Sequence, residues 1–251
     1  MSLDAVVIAA GEGRRLRPLT ERWAKPVLPV DGRPVIATLL RDLTEAGFDT
    51  VTIVVGQLGE QIEELLGDGS AFGLLVRYAK QPAPLGSADA VSQALAAAAR
   101  PPLLVAGADT VFSRGDVRRF AEDWSAGGLA GALAVRHVPS DELPERSSVR
   151  AVGRRLVSVV EKPPLGSSRD TLAGAPLWIL GEELCGFLEG LPGPPYELAV
   201  AAQRAIDAGK EIAAIEIGPT RDITRPEDVI AQNFPYLLAW GKPGFLHGPP
   251  S

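Results

Sequence analysis

The sequence predicts an α/β fold built on a mixed, mainly parallel β-sheet flanked by helices. Through residues 5–128, short apolar runs alternate with segments of helical spacing, as expected where helices cross over between parallel strands. From about residue 129, strand-like segments follow one another more closely, which predicts a smaller, β-rich second half. We expect one domain over residues 1–240 and a mobile tail at 241–251, where Gly and Pro are frequent.

The spacing of apolar residues, together with Gly or Pro at the ends of segments, predicts the individual helices and strands. Residues 34–47 place Ile36, Leu40 and Leu43 on one helical face, and Gly47 suits the end of that helix. In chain order we predict strands at 5–10, 50–55, 74–80, 102–106, 129–138, 147–163 (a hairpin), 175–180 and 210–217, and helices at 34–47, 56–69, 86–100, 181–190, 196–209 and 225–240.

Size, charge and cysteine content exclude several classes of protein. A chain of 251 residues can form one α/β domain, and its net charge of −6 argues against a nucleic-acid surface. No apolar run reaches the ~18–20 residues of a membrane span, and the first residues lack the pattern of a signal peptide. We therefore expect a cytoplasmic protein without a membrane partner; a homo-oligomer is compatible with the sequence. Cys185 is the single cysteine, which excludes an internal disulfide and favours a small core residue.

The most informative stretch is the loop that follows the first strand. Gly11 and Gly13 allow a turn whose backbone N–H groups approach a ligand. Within residues 12–25, five cationic side chains stand against two acidic ones, a local charge of +3. Leu16 stands where a dinucleotide-binding fingerprint has its third glycine, the Gly-Lys-Ser/Thr of a P-loop is absent, and prolines predict an extended loop. We interpret the stretch as a site for a polyanion, most simply a nucleoside triphosphate; the alternative is a solvated basic loop.

Polar residues at the ends of later strands predict the rest of the site, because ligands of parallel sheets bind beyond the carboxyl ends of the strands. Gln81 has donors and an acceptor suited to a nucleobase edge, with a surface glutamine as the alternative, and Gly86 opens the next helix. Asp109 ends a buried strand and, with Asp222, could hold Mg²⁺ on a triphosphate. Asp222 could instead cap the last helix, although Thr224 is better placed for that.

The sequence resembles the sugar-1-phosphate nucleotidyltransferases, which include glucose-1-phosphate thymidylyltransferases and UTP–glucose-1-phosphate uridylyltransferases. The resemblance rests on GEGRRLRPLTERWAKPVLPVDGRP, followed in the family's order by QPAPLGSADAV, GADTVF, VVEKP, YEL and RDITRPEDV, over about residues 4–233. It implies a Rossmann-like nucleotide-binding half at about 1–128 and a sugar-binding half at about 129–240, without an appended β-helix acetyltransferase domain. The implied reaction is NTP + sugar 1-phosphate → NDP-sugar + pyrophosphate, with Mg²⁺ as cofactor.

The resemblance also implies roles for individual residues. Arg15 matches the arginine that grips the leaving pyrophosphate, and Lys25 matches the lysine that holds the α-phosphate. Asp109 and Asp222 match the pair that holds Mg²⁺. The other matches are the nucleotide-binding positions Ala10, Gly11, Gly13, Arg14, Gln81 and Gly86, and the sugar-phosphate positions Glu161, Lys162, Gly174 and Glu197.

The larger departures from the family's pattern lie on the predicted sugar side. Ser147 and Ser148 replace the Tyr-Gly of many members, Leu172 replaces an asparagine and Val200 replaces an aspartate. We expect dTTP or UTP as the nucleotide and glucose 1-phosphate as the acceptor. The alternatives are mannose 1-phosphate with GTP, another phosphorylated acceptor such as an alditol phosphate or phosphocholine, and a catalytically silent subunit that senses a nucleotide or an NDP-sugar.

Overall fold

A β-sheet with helices on both faces forms the centre of the fold in the computed structural model, which describes residues 3–125, 129–140, 142–164 and 172–240. The predicted tail at 241–251 lies outside the described residues. The strands are β1 (Asp4–Ala9), β2 (Pro29–Val30), β3 (Arg33–Pro34), β4 (Thr50–Val55), β5 (Leu75–Lys80), β6 (Leu103–Gly107), β7 (Thr110–Val111), β8 (Gly131–His137), β9 (Ser147–Val152), β10 (Arg155–Glu161), β11 (Leu172–Leu180), β12 (Ile212–Glu216) and β13 (Arg221–Asp222). The helices are α1 (Val35–Glu45), α2 (Gly59–Leu66), α3 (Ser87–Ala96), α4 (Asp116–Ser125), α5 (Glu182–Cys185), α6 (Leu198–Asp207) and α7 (Pro226–Trp240).

Nine of the described strands form one continuous mixed sheet, in the order β5-β4-β1-β6-β11-β8-β12-β10-β9. The first four are parallel neighbours. β11 then runs antiparallel to both β6 and β8, β12 pairs in parallel with β8, and β9 and β10 form an antiparallel hairpin. The predicted fold class is confirmed, and the β-rich second half extends the sheet of the first half.

Apolar side chains from helices on both faces form the core. On one face, Ile36, Leu40 and Leu43 of α1 are each 0% exposed, as their helical spacing predicts. Complete burial of a side chain of this size stabilises the fold by about 1.5–3 kcal/mol. The alanine-rich helices α3 and α6 pack on the opposite face with the aromatic ring system of Trp178 from β11. Burial on both faces fixes the carboxyl ends of the parallel strands at one edge of the sheet.

The two-residue strands β2, β3, β7 and β13 were not predicted, and three longer segments also differ from the sequence-based expectation. α4 was not predicted, although Val117, Phe120 and Trp124 form its buried face at helical spacing. Only the first turn of the predicted helix 181–190 is α-helical, and the chain continues past Gly186 in tighter turns because glycine weakens a helix interior. The loop after β1 is not extended but contains short 3₁₀ turns, since proline suits the first turn of a helix.

The half-buried thiol of Cys185 packs beside the core as predicted, and burial, aided by the charge of Glu182, raises its pKa to about 11. Among the described residues, no helix has both the length and the apolar character that crossing a membrane requires.

Candidate active site

A cavity of about 460 Å³ opens at the carboxyl ends of β1 and β6, where ligands of parallel sheets bind. Gly13 and Arg14 are not among its lining residues, and the exposed Arg14 side chain pairs with Glu12. The other predicted site residues all line this one cavity: Ala10, Gly11, Arg15, Lys25, Gln81, Gly86, Asp109, Glu161, Lys162, Gly174, Glu197 and Asp222.

Hydrogen bonds fold the loop after β1 into a fixed shape. Gly13 adopts a left-handed φ of +60°, and its carbonyl oxygen accepts a hydrogen bond from Thr20 Oγ1 at 2.9 Å. At the far end of the loop, Gln61 on α2 accepts from the Ala24 N–H and donates to the Arg22 carbonyl, both at 2.8 Å. The loop is therefore held at both ends, with Arg15 and Lys25 on the cavity wall.

Lys25 is ion-paired with Asp109, two residues beyond the end of β6. The ammonium group of Lys25 donates to Asp109 Oδ2, and only 13% of the lysine side chain is exposed. Burial acts to raise the pKa of Asp109, but the charge of Lys25 and its hydrogen bond outweigh burial and hold that pKa below its ordinary value. Asp109 is therefore a carboxylate at neutral pH, and its charge offsets that of the lysine.

Glu145 bridges two arginines at the cavity mouth. Its Oε2 accepts from Arg15 Nη1 at 2.8 Å, and its Oε1 accepts from Arg225 Nη2 at 2.9 Å. Arg225 lies immediately before α7 and Arg15 lies in the loop after β1, so the glutamate joins two distant parts of the chain. The carboxylate of Glu145 thus occupies the place beside the Arg15 guanidinium that an anionic ligand of Arg15 would also take.

Asp222 lies among two arginines and a hydroxyl group. Short strands β13 and β7 pair Asp222 with Thr110, whose Oγ1 donates to Asp222 Oδ1 at 2.9 Å. Arg146 Nη1 donates to Asp222 Oδ2 at 2.8 Å, and Arg136 Nη2 lies 3.8 Å from the same oxygen. Burial acts to lower the pKa of Arg146, but the charges of Asp222 and Glu142 and their hydrogen bonds together outweigh burial and raise that pKa, so Arg146 stays charged.

The two predicted metal ligands, Asp109 and Asp222, lie on either side of Thr110. The Thr110 hydroxyl oxygen is 3.4 Å from Asp109 Oδ1 and 2.9 Å from Asp222 Oδ1. Carboxylate oxygens are the donors that Mg²⁺ prefers, and it commonly completes its shell with water and phosphate oxygens. Among the described residues, no group of three or more His, Cys, Asp or Glu side chains could hold a metal alone. The donors present therefore fit a magnesium ion that is bound together with a phosphate ligand.

Gln81 and Gly86 lie together on the opposite wall. Gln81 continues β5, and its Nε2 donates to the Gly86 carbonyl at 3.0 Å and to Asp89 Oδ2 at 2.7 Å. Gly86 has a φ of +107°, and a Cβ atom there would lie 2.3 Å from the carbonyl oxygen of Tyr196. Only glycine allows this conformation and this close approach at the start of α3.

The residues predicted for the sugar phosphate lie in two groups. Glu161 accepts a hydrogen bond from the Ser147 hydroxyl and lies 3.2 Å from the ammonium group of Lys162. Glu197 Oε2 accepts from the hydroxyl of Ser87 at 2.5 Å and from its backbone N–H at 3.3 Å. Glu197 therefore caps α3 as well as lining the cavity, since Ser87 is the first residue of that helix.

Sequence reasoning missed several polar residues of the cavity, among them Glu145, Arg146 and Thr110, and one residue behind it, Arg136. Glu145 and Arg146 directly precede the Ser147–Ser148 pair, and Thr110 directly follows Asp109, so adjacency to predicted positions could have found them. Arg136 on β8 is not adjacent in sequence to any predicted site residue, and only the fold brings it close to Asp222.

A second cavity, of about 310 Å³, lies between α1 and α4 and contains none of the predicted site residues. Asp42 on its wall has a buried oxygen, Oδ2, without a hydrogen-bond partner. Burial, together with the charges of Glu45 and Asp116, raises the pKa of Asp42 to about 6. This carboxyl group is therefore costly to ionise in the folded chain.

Comparison with known proteins gives matches over most of the chain. The family described as Nucleotidyl transferase matches residues 4–220. An N-acetylmuramate alpha-1-phosphate uridylyltransferase of Neisseria meningitidis is 43% identical over 110 residues, which are 43% of this chain and 48% of that protein. A glucose-1-phosphate thymidylyltransferase of Streptomyces griseus is 30% identical over 234 residues, which are 92% of this chain and 65% of that protein. The chain thus spans about half to two thirds of the length of these curated relatives.

Solved structures share the fold at low sequence identity. A UDP-glucose pyrophosphorylase complexed with UDP-glucose superposes with a TM-score of 0.84 at 22% identity, over 95% of this chain and 100% of that chain. A Bacillus anthracis protein described as a putative glucose-1-phosphate thymidylyltransferase in complex with a sucrose superposes with a TM-score of 0.82 at 20% identity, over 96% of this chain and 97% of that one. Both superpositions include strands of the first half and of the second half of the sheet, on either side of β11.

Proposed function

The chain belongs to the nucleotidyl transferase family, and from that premise we propose that it transfers a nucleotidyl group from an NTP to a sugar 1-phosphate. The products are an NDP-sugar and pyrophosphate. The observation that carries the proposal is that two cations and two carboxylates, predicted separately from the sequence, line one cavity: Arg15, Lys25, Asp109 and Asp222. If the loop were only a solvated basic segment, its cations would not be expected to line the same cavity as Asp109 and Asp222.

The reaction is an in-line displacement at phosphorus. An oxygen of the acceptor's phosphate forms a bond to the α-phosphorus, the bond between this phosphorus and the oxygen bridging to the β-phosphate breaks, and pyrophosphate leaves with the electron pair. The attacking phosphate is already ionised at neutral pH, so no general base is required. The barrier lies in bringing two anions together: at 4 Å two unit charges repel by ~4 kcal/mol at an effective dielectric constant of 20.

Cationic side chains of the cavity offset this repulsion. Lys25 would hold the α-phosphate and Arg15 the leaving pyrophosphate, so that positive charge meets the negative charge that develops during the reaction. To do so, Lys25 exchanges Asp109 for a phosphate oxygen, and Arg15 exchanges Glu145 for another. Asp109 and Asp222 would hold Mg²⁺, which when bound neutralises phosphate charge and stabilises the leaving group.

The sequence and the relatives support a choice of nucleotide and of acceptor. We propose UTP or dTTP as the nucleotide and glucose 1-phosphate as the leading acceptor, held by Glu161, Lys162, Gly174 and Glu197. One specific observation favours a second acceptor: the relative with 43% identity is named for N-acetylmuramate α-1-phosphate. Serine at 147, in place of the tyrosine of many family members, supports an acceptor that is bulkier than glucose 1-phosphate.

A substrate matrix tests the proposal. ATP, GTP, CTP, UTP and dTTP are each combined with a panel of sugar phosphates, alditol phosphates and phosphocholine in the presence of Mg²⁺, and pyrophosphate release is measured. We expect release with UTP or dTTP and a hexose 1-phosphate. A chain that binds nucleotides in calorimetry yet releases no pyrophosphate with any pair would instead be a silent sensing subunit.

A further inference from the structure

The side-chain amide of Gln81 is fixed in one orientation by acceptors behind it. Its Nε2 carries two hydrogens, and both are used: one goes to the Gly86 carbonyl at 3.0 Å and the other to Asp89 Oδ2 at 2.7 Å. Carbonyl and carboxylate oxygens only accept hydrogen bonds. If the amide were rotated by half a turn, its oxygen would face two acceptors. The observed orientation is therefore the one the surroundings allow.

The remaining polar atom of this amide is an acceptor that faces the cavity. Gln81 is 5% exposed and lines the cavity, whereas Asp89, in the first turn of α3, does not line it. In the part of the chain that the structure describes, no group donates to Gln81 Oε1, and this atom is not among the buried atoms without a partner. Asp89 thus stands behind Gln81, and the carbonyl oxygen of Gln81 is presented to a ligand.

We propose that Asp89 is a positioning residue for base recognition, because it holds Gln81 as an acceptor and not a donor. The inference rests on the proposed function, in which Gln81 meets the nucleobase. An acceptor at this position selects bases with a hydrogen on the ring nitrogen of the pairing edge: uracil and thymine at N3, and guanine at N1. Cytosine and adenine carry a lone pair on the corresponding nitrogen and would face the oxygen of Gln81 without a hydrogen bond.

A charge effect is the competing explanation for Asp89. An acidic side chain in the first turn of a helix stabilises the helix through its dipole, whatever it does for Gln81. Two substitutions separate the explanations, because both remove the negative charge. Asp89→Asn keeps an oxygen that can accept from Gln81 Nε2, whereas Asp89→Leu removes the acceptor and keeps a similar side-chain volume. Asp89→Ala is a third variant that removes the acceptor with the residue most favourable to a helix.

The test compares the dissociation constants of UTP and CTP by titration calorimetry, with Mg²⁺ and without a sugar phosphate, so that no turnover occurs. Sites built to hydrogen-bond a ligand group discriminate strongly against ligands that lack it, so we expect wild type to bind UTP at least about tenfold more tightly than CTP. Asp89→Asn should keep this ratio within about threefold, and Asp89→Leu and Asp89→Ala should lower it by about tenfold. Thermal unfolding of each variant establishes that it is folded.

The possible outcomes test three statements separately: the role of Asp89, base selection by Gln81, and nucleotidyl transfer. If the folded Leu and Ala variants keep the wild-type ratio, or if the Asn variant loses it to the same extent, Asp89 does not position Gln81. If wild type binds UTP and CTP equally, base selection by Gln81 is wrong while nucleotidyl transfer stands. If wild type binds neither UTP nor CTP, and none of dTTP, GTP and ATP either, the proposed function itself fails, and the inference falls with it.

Discussion

Lys25 and Asp109 neutralise each other at the wall of the cavity, and each is the other's closest partner of opposite charge. The proposed chemistry needs both groups for other purposes, the lysine for a phosphate and the aspartate for a metal. In the proposed chemistry, binding of a metal–triphosphate complex would replace one ion pair by two new ones. This exchange keeps the buried charges balanced at each stage, which matters because an unpaired buried charge is costly.

Replacement of Lys25 by methionine should lower kcat by about 10²–10³-fold, because removal of one charge-stabilising donor at a reaction centre has effects of this size. Turnover is measured as pyrophosphate release under saturating substrates. Lys210→Met is the matched control, since Lys210 pairs with Glu183 and does not line the cavity. Turnover of the Lys25 variant within a few-fold of wild type would remove Lys25 from the mechanism.

Replacement of Glu145 by glutamine should strengthen nucleotide binding. The carboxylate of Glu145 pairs with Arg15, so a triphosphate has to displace it, whereas a neutral amide competes less. Because half-exposed ion pairs contribute about 0.2–1 kcal/mol, we expect the dissociation constant of UTP to fall by up to about fivefold. Glu142→Gln removes the same charge from the same segment without touching Arg15 and serves as the control in calorimetry. Weaker binding of UTP by Glu145→Gln would contradict the competition.

Replacement of Gly86 by alanine should weaken nucleotide binding by tenfold or more. The new methyl group would lie 2.3 Å from the Tyr196 carbonyl oxygen at a φ of +107°, so the start of α3 has to move away from Gln81. The dissociation constant of UTP and the melting temperature are both measured. Gly186→Ala is the control, because Gly186 has an ordinary φ of −62° and does not line the cavity. An unchanged affinity in the Gly86 variant would show that this wall does not contact the nucleotide.

Replacement of Asp42 by asparagine should stabilise the folded chain at neutral pH and above. The pKa of Asp42 is raised to about 6, so the folded state holds a proton that the unfolded state releases near pH 4. Stability is therefore lost as the pH rises from about 4 to about 6, by about 1–3 kcal/mol at most. In urea unfolding, the free energy of unfolding of Asp42→Asn should exceed that of wild type above pH 6 and approach it near pH 4. The exposed Asp49→Asn should show no such difference, and a constant offset at every pH would refute the argument.

Local sequence patterns were sufficient to predict the central strands and the position of the cavity at their carboxyl ends. The apolar runs at 50–55 and 102–106 needed only short-range periodicity, and the rule that ligands bind beyond strand ends predicted a shared site for Gln81 and Asp109, which line the same cavity. Charge clustering beside glycines indicated a cationic loop, and the family resemblance singled out Arg15 and Lys25 within it. These are features that a few neighbouring residues determine.

Contacts between distant segments could not be predicted in this way. Glu145 meets Arg15 across 130 positions of the chain, and Arg136 approaches Asp222 only because β8 joins the sheet beside β11. The far end of the first loop is anchored by Gln61 on α2. In each case the deciding partner is fixed by tertiary packing and leaves no local pattern.

The place of β11 has a consequence for how substrates enter. This strand is hydrogen-bonded through its backbone to β6 on one side and to β8 on the other, with one irregularity against β8 between Gly174 and Trp178, so strands of the first and second halves belong to one sheet. A motion that opened the two halves against each other would have to break several of these backbone hydrogen bonds at once. We therefore expect entry and exit to depend on side chains at the rim, such as Arg15 moving away from Glu145, while the sheet beneath them keeps its shape.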